Sequence, residues 1–375
     1  MEVTFLIFAL LSGGLFLSAF LFLMNITGVN NGANTWLGLF YFCLGCAFFQ
    51  QLMEESGLAN KFSLLVHLSE LNRFALAPSL YLAICGFINR KIPLWQNLLH
   101  FTPVAFFVLH SVEFIIPNFI HPGSANPDVL PRIVVLLLGS LSRIQGVVYW
   151  VLSYSAILKH RKNIRLINSG IDEIDLKWIK HFLHGVLIML IVWLSGKSLE
   201  ILESITPIVY AVGVFYIVYF SLKQVAVYPF EAKEMEDVDH VLNENKNYER
   251  LTSAQLSILK EKVADLVATR KLYLNPELSL PELGREVGIN IHDLSYILNQ
   301  GFRKTFYQYI NEMRVEEAKR LLLSGKGKQL DMMGIAYSAG FNSKTTFYTA
   351  FKKTIGQTPT DFVKSQTTDQ MASLI

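Results

Sequence analysis

The sequence predicts an all-α chain in two parts, a polytopic α-helical membrane bundle of about seven helices and then a smaller helical domain made of two helix-turn-helix units. Three observations carry this expectation. Hydrophobic residues make up 52% of the 375 residues and charged residues only 17%, a balance that soluble chains rarely show. Seven apolar stretches meet or approach the roughly 20 residues needed to cross a hydrocarbon core. From residue 250 onward the apolar positions return at helical spacing, with two short units each centred on a glycine turn.

The apolar stretches are residues 3–24, 36–53, 73–88, 94–116, 133–158, 178–202 and 207–222. The third is short and contains Pro78. Residues 1–24 carry Glu2 where a signal peptide would be basic, and their apolar run is too long for one, so a retained membrane helix is expected. Lys and Arg in short loops mark the cytoplasmic side. Arg90 and Lys91 follow the third stretch, and Lys159, Arg161, Lys162 and Arg165 follow the fifth. The alternate loops are acidic or balanced, with Glu54, Glu55 and Glu70 in one and Asp128 against Arg132 in the other. The N-terminus is therefore expected outside and everything after Lys223 inside.

Ionisable groups within such stretches are costly and point to function. Arg143, with Gln145 beside it, lies near the middle of the fifth stretch; Glu113 lies toward the outer end of the fourth, Arg73 opens the third, and Lys197 and Glu200 fall in the outer part of the sixth. Arg73, Glu113, Arg143 and Lys197 are candidates for an outward-facing pocket receiving an anionic ligand. Arg143 paired with Glu113 or with a carbonyl would equally serve helix packing. Cys43, Cys46 and Cys85 all sit in apolar stretches and read as small buried hydrophobes. Seven histidines fall in this half (His67, His100, His110, His121, His160, His181 and His184); His181 and His184 together supply at most two ligands, so no metal and no cofactor is expected. Asn25-Ile26-Thr27 matches a glycosylation sequon, but its place in an inner loop makes that a chance match.

Residues 223–250 turn polar and acidic, with Glu231, Glu234, Glu236, Asp237 and Asp239, and read as a linker. As a flexible coil they would span about 30 Å. Met235, Val238 and Leu242 have heptad spacing, a motive for homodimer pairing. The domains are thus expected at 1–222, 223–250 and 251–366, with a tail at 367–375.

In the third part, Leu256, Leu259, Val263 and Leu266 form one helix stripe, with Ser253 as its expected N-cap. The first unit follows: a helix over 280–287, the turn Gly288-Ile289-Asn290 and a helix over 292–300. A spacer helix over 305–324 comes next. The second unit has a helix over 331–339, the turn Gly340-Phe341-Asn342 and a helix over 343–353. A glycine after a short amphipathic helix lets the next helix leave at a steep angle. Residues 250–364 hold 17 Lys and Arg against 11 Asp and Glu, which suits a polyanionic partner.

These residues resemble the DNA-binding domain of the AraC/XylS transcription regulators over about the last 115 positions. The likeness is carried by Leu278-Ser279-Leu280, Tyr309-Ile310, Arg314, Glu317-Ala318, the run from Ala336 to Phe341, Thr346-Phe347, Phe351-Lys352-Lys353, Gly356, Thr358-Pro359 and Phe362. Gly284-Arg285 departs from the family's small helix-forming residue. The resemblance implies that the second helix of each unit enters the major groove of double-stranded DNA. By position, base contacts would come from His292, Ser295, Tyr296, Lys344, Thr345, Tyr348 and Thr349, and phosphate contacts from Arg303, Lys304, Lys352 and Lys353. Ile335, Phe347 and Phe351 are expected in the core instead.

The function expected is a transcription regulator in a bacterial inner membrane that couples a membrane-derived or small-molecule signal to gene expression. A transporter or channel with a regulatory DNA-binding domain is the alternative, though only Pro78 hints at a broken helix and no repeat is evident. No enzyme is expected, because no G-x-S-x-G, H-E-x-x-H or membrane Asp pair occurs, so no catalytic residue is assigned.

Overall fold

The computed structural model describes residues 2–26, 28, 30–88, 92–109, 132–164, 166, 169, 177–195, 200–223, 251–324 and 330–372. It divides into two compact units: Met1–Leu158 with Leu176–Val227, and Lys159–Asp175 with Tyr228–Ile375.

The first unit contains α1 (Glu2–Leu23), α2 (Asn31–Glu55), α3 (Ser63–Glu70), a 3-10 turn (Leu71–Phe74), α4 (Leu76–Phe87), α5 (Leu94–Leu99), α6 (Arg132–Ile164), α7 (Lys177–Ser195) and α8 (Glu200–Leu222). Residues 102–109 are also helical. The helix α2 packs against both α1 and α4, and α7 against α8. Gly185 and Gly213 let the last pair approach closely, since a Cβ on Gly185 would come within 2.6 Å of Ile217 and one on Gly213 within 2.8 Å of Met189; small residues serve this purpose where helices associate in lipid. Two polar side chains find partners across the bundle. The Tyr41 hydroxyl is 2.6 Å from Ser221 Oγ and donates to the Ile217 carbonyl, and the Trp150 indole donates to the Leu183 carbonyl.

Four described helices are long and apolar enough to cross a membrane: Val3–Leu23, Asn31–Glu55, Trp178–Ser195 and Ile205–Leu222. The third stretch of the sequence is not one helix over 73–88. It is the 3-10 turn followed by α4, whose 12 residues rise about 18 Å, short of the roughly 30 Å hydrocarbon core. Pro78 explains the restart, because it occupies the first turn of α4, where its missing N–H leaves no helical bond unmade. The helix α7 is described as far as Ser195 and α8 from Glu200, with residues 196–199 outside the described residues; Glu200 belongs to α8, and Pro207 falls inside that helix instead of beginning one. Glu113, Lys197, His110, His121, Arg90, Lys91 and the whole linker expected at 223–250, apart from Lys223, lie outside the described residues.

The second unit contains α9 (Ser253–Thr269), a 3-10 turn (Leu272–Leu274), α10 (Leu280–Val287), α11 (Ile291–Tyr296) with a π turn at Ile297–Gly301, α12 (Phe306–Leu323), α13 (Met332–Ser338), α14 (Lys344–Ile355) and α15 (Pro359–Ala372). The N-cap of α9 is Thr252, not Ser253, in a reciprocal capping box with Gln255. The register decides this: three residues after Thr252 stands a glutamine able to return the bond, whereas three after Ser253 stands Leu256. A second capping box, Thr305 with Gln308, starts α12. The chain expected as a tail from residue 367 continues α15 as far as Ala372.

Two apolar clusters organise this unit. One joins Val263, Leu280, Leu283, Leu294, Ile297 and Ile310, and the other joins Val315, Ala318, Ile335, Phe341, Phe347 and Phe351. The helix α12 contributes to both, giving its first half to one and its second half to the other, as a spacer between two units must. Its 18 residues rise about 27 Å.

Candidate functional site

Each of the two units is built by local sequence rules. In the first, Ser279 caps α10 and Gly288 closes it in the left-handed conformation at φ 64°. Asn290 then caps α11, accepting from the Asp293 amide at 2.9 Å. In the second, Asp331 caps α13 through the Gly334 amide at 2.7 Å, Gly340 turns the chain at φ 89°, and Ser343 caps α14. Gly284, the departure from the family pattern, has a packing reason: a Cβ there would stand 2.9 Å from the Ile289 carbonyl, so the helix could not lie against its own turn. Removing the Asn290 cap by Asn290→Ala is expected to cost about 1 kcal/mol. Amide exchange in α11 should then rise about fivefold; an unchanged rate would show that the cap does not hold this helix.

The second reading helix presents a polar face at the spacing a groove-facing helix requires. Lys344, Thr345, Thr349, Lys352 and Lys353 are exposed, and Tyr348 is half-buried. The Lys344 ammonium lies 5.7 Å from the Tyr348 ring centre, and the Tyr348 hydroxyl is 3.4 Å from Thr360 Oγ1. Thr346, between them in sequence, is buried, as are Phe347, Phe351 and Ile335.

The first reading helix is shorter than the sequence predicts. It runs from Ile291 to Tyr296, and the last turn of the expected 292–300 is a π turn. The Asn299 amide donates to the Ser295 carbonyl at 2.9 Å and also reaches Ser295 Oγ at 3.3 Å; a side chain on that carbonyl competes with the helical bond and favours the wider turn. His292, Ser295 and Tyr296 are half-buried. Gln300, in the π turn that follows α11, is exposed; helical spacing from His292 does not mark it, because the helix has ended by then. Among the phosphate candidates, Arg303 is exposed in a left-handed backbone conformation at φ 55°, while Lys304 pairs with Glu312 inside the domain.

Arg314 joins the two helix-turn-helix halves within the second unit. It is fully buried in α12, where its guanidinium donates to the Tyr273 carbonyl and the Asn275 carbonyl at 2.7 Å each and to Asn311 Oδ1 at 3.3 Å. It also lies 5.9 Å from the centre of the Phe341 ring. Burial pushes its pKa down to about 9, so the cation is held against the cost of desolvation by acceptors on several sides.

In the first unit, a cavity of about 420 Å³ brings Arg73 and Arg143 together with Gln50, Gln51, Asn72 and Ser142. Its remaining wall is apolar, with Phe8, Phe48, Leu190 and Trp193 among the lining side chains. Gln145, next to Arg143 in sequence, instead donates to the Phe74 carbonyl at 3.2 Å. His181 meets the Tyr216 hydroxyl at 2.9 Å and stacks on Phe220.

The helix-turn-helix domain family matches residues 283–365. Over 87 residues the chain is 32% identical to the melibiose operon regulatory protein of Escherichia coli strain K12, and equally to its counterpart in strain O6:H1. The match covers 23% of this chain and 28% of either relative. No solved structure matches the chain. Residues 283–365 of this protein thus match a helix-turn-helix domain.

Proposed function

We propose that this protein is a membrane-bound transcription regulator that binds double-stranded DNA sequence-specifically through residues 251–366 and responds to a signal received by residues 1–222. The observation that carries the reading is the pair of capped, glycine-turned helix units on one spacer helix. The second reading helix exposes Lys344, Thr345 and Thr349 along one edge with Tyr348 half-buried beside them. In this reading His292, Ser295, Tyr296, Lys344, Thr345, Tyr348 and Thr349 meet base edges, where a lysine donates to guanine and a threonine methyl meets thymine. Arg303, Lys304, Lys352 and Lys353 meet phosphates and set register; Lys304 would exchange Glu312 for a phosphate. The name of the Escherichia coli relative states that it regulates an operon, which supports regulation here.

Membrane residence is supported by the four apolar helices and by large side chains such as Leu10, Phe20, Ile191, Val212 and Phe215 on their exposed faces, a surface that water disfavours. Seven crossings with the N-terminus outside are part of this proposal, the placing of Lys and Arg in the loops setting their direction. The cavity at Arg73 and Arg143 falls in the range of small-molecule sites, and its two guanidinium groups beside an apolar wall suit an anionic ligand. Glu113 and Lys197 complete that proposed site, and a homodimer paired through the linker completes the proposed assembly.

Genomic footprinting of tagged full-length protein, beside the double variant Lys344→Ala and Thr345→Ala, tests the reading. Discrete sites that fall at least tenfold in the variant are expected, since two base contacts are worth about 2 kcal/mol or more, with both proteins in the membrane fraction. Sites that persist unchanged in the variant, or wild-type protein found in the soluble fraction, would refute it.

A further inference from the structure

Residues 159–175, which run from the last turns of α6 towards α7, group with the second unit. Two of them are seated in its fabric. Leu166 packs against the apolar cluster of the first helix-turn-helix unit. Ser169 is 0% exposed and is bound at both of its oxygens. Its hydroxyl donates to the Leu278 carbonyl at 2.7 Å and accepts from Arg314 Nη2 at 3.0 Å. Its carbonyl accepts from Asn311 Nδ2 at 3.2 Å and from Arg314 Nη1 at 3.4 Å.

The socket that receives Ser169 is therefore made of groups that need a partner. Asn311 and Arg314 are buried polar side chains one turn apart on α12, and an empty socket would leave their donors short of acceptors, which burial makes costly. A serine presents a hydroxyl donor and, on its hydroxyl and carbonyl oxygens together, four acceptor lone pairs in a small volume, and Asn311 Nδ2, Arg314 Nη1 and Arg314 Nη2 all donate to them.

We propose that Ser169 is the ligand of this socket, and that the latch formed by Ser169 and Leu166 is a noncovalent hold through which the chain between the apolar helices acts on the DNA-binding unit. This rests on the regulatory reading above. Arg314 is shared between the latch, the Tyr273 and Asn275 carbonyls and the Phe341 ring, so seating or unseating Ser169 is felt at both helix-turn-helix units. Four hydrogen bonds, each worth between roughly twofold and tenfold in population, set a balance that a ligand with different affinity for the two states can shift.

The experiment uses full-length protein in vesicles of bacterial lipid and follows trypsin cleavage after Arg161, Lys162 and Arg165. Wild type and Ser169→Ala, which keeps both bonds to the carbonyl, are expected to be cut slowly. Ser169→Trp, which has no room in the seat, and Leu166→Glu, which removes the apolar anchor without adding bulk to the socket, are expected to be cut at least tenfold faster. Hydrogen exchange in residues 306–323 reports that the domain stays folded in the variants. Footprinting of the same variants is expected to show site occupancy changed at least fivefold from wild type.

Wild type cut as fast as Leu166→Glu would overturn the latch, whatever is seen on DNA. Faster cutting with occupancy unchanged from wild type would overturn its regulatory role while leaving the DNA-binding reading intact. Absence of any occupied site in wild type would instead count against the DNA-binding reading, with the cleavage result still deciding the latch.

Discussion

Replacing Arg314 by methionine is expected to destabilise the helix-turn-helix unit, residues 251–372, by about 3–5 kcal/mol, enough to remove most of what a domain of this size holds in reserve. Methionine fills much of the space but donates nothing. The Tyr273 and Asn275 carbonyls, both bonded at 2.7 Å, and Asn311 Oδ1 would be left inside the protein, at about 1–3 kcal/mol for each acceptor stranded away from water. Arg314→Lys should recover only part of the loss, because an ammonium is a point donor and cannot span the directions that the guanidinium fork reaches. Pulse proteolysis of the full chain in urea, read on fragments from 251–372, measures this. A shift below about 1 kcal/mol in the methionine variant would show that these bonds are not what joins the two helix-turn-helix units.

Gly340→Ala carries the second large effect, and a matched control isolates its cause. Gly340 and Gly356 have nearly the same backbone conformation, at φ 89° and 88°. An alanine at either position meets the strain of a positive φ, about 1–2 kcal/mol. At Gly356 the added Cβ has nothing within 4 Å, whereas at Gly340 it would lie 2.5 Å from the Tyr273 carbonyl oxygen and 2.8 Å from Leu274 Cα. Those are backbone atoms of the 3-10 turn, the same turn that Arg314 grips, and they cannot swing aside. Gly340→Ala should therefore cost about 1–3 kcal/mol more than Gly356→Ala, the usual penalty for overfilling a packed site. Equal stabilities of the two variants would mean that the turn of the second unit does not bear on the first in solution.

The fold of the helix-turn-helix unit was legible in the sequence because its rules are local. The glycine turns at Gly288 and Gly340, the expected core places of Ile335, Phe347 and Phe351, and the first helix of each unit follow from spacing and capping chemistry within a few residues. Boundaries failed where a neighbour changed the register. Thr252 displaced Ser253 as a cap because Gln255 could answer it, and Asn299 turned the end of the first reading helix into a π turn by claiming the Ser295 carbonyl. In the apolar unit, hydropathy located the stretches but not their breaks, since apolarity is the same on both sides of Asn72 and Arg73.

What the sequence by itself determined is the helical class of each half: apolar stretches of a length that could cross a membrane in one, capped helices with glycine turns in the other, both being properties of short segments. What only the tertiary structure decided is which distant residues serve one another. Arg73 and Arg143 share one cavity wall, Gly340 lies against Leu274, and Ser169 is bound by Asn311 and Arg314 more than 140 positions later in the chain. No local pattern marks such pairs, because a buried hydrogen bond depends on where folding brings the donor and acceptor and not on how far apart they stand in the chain.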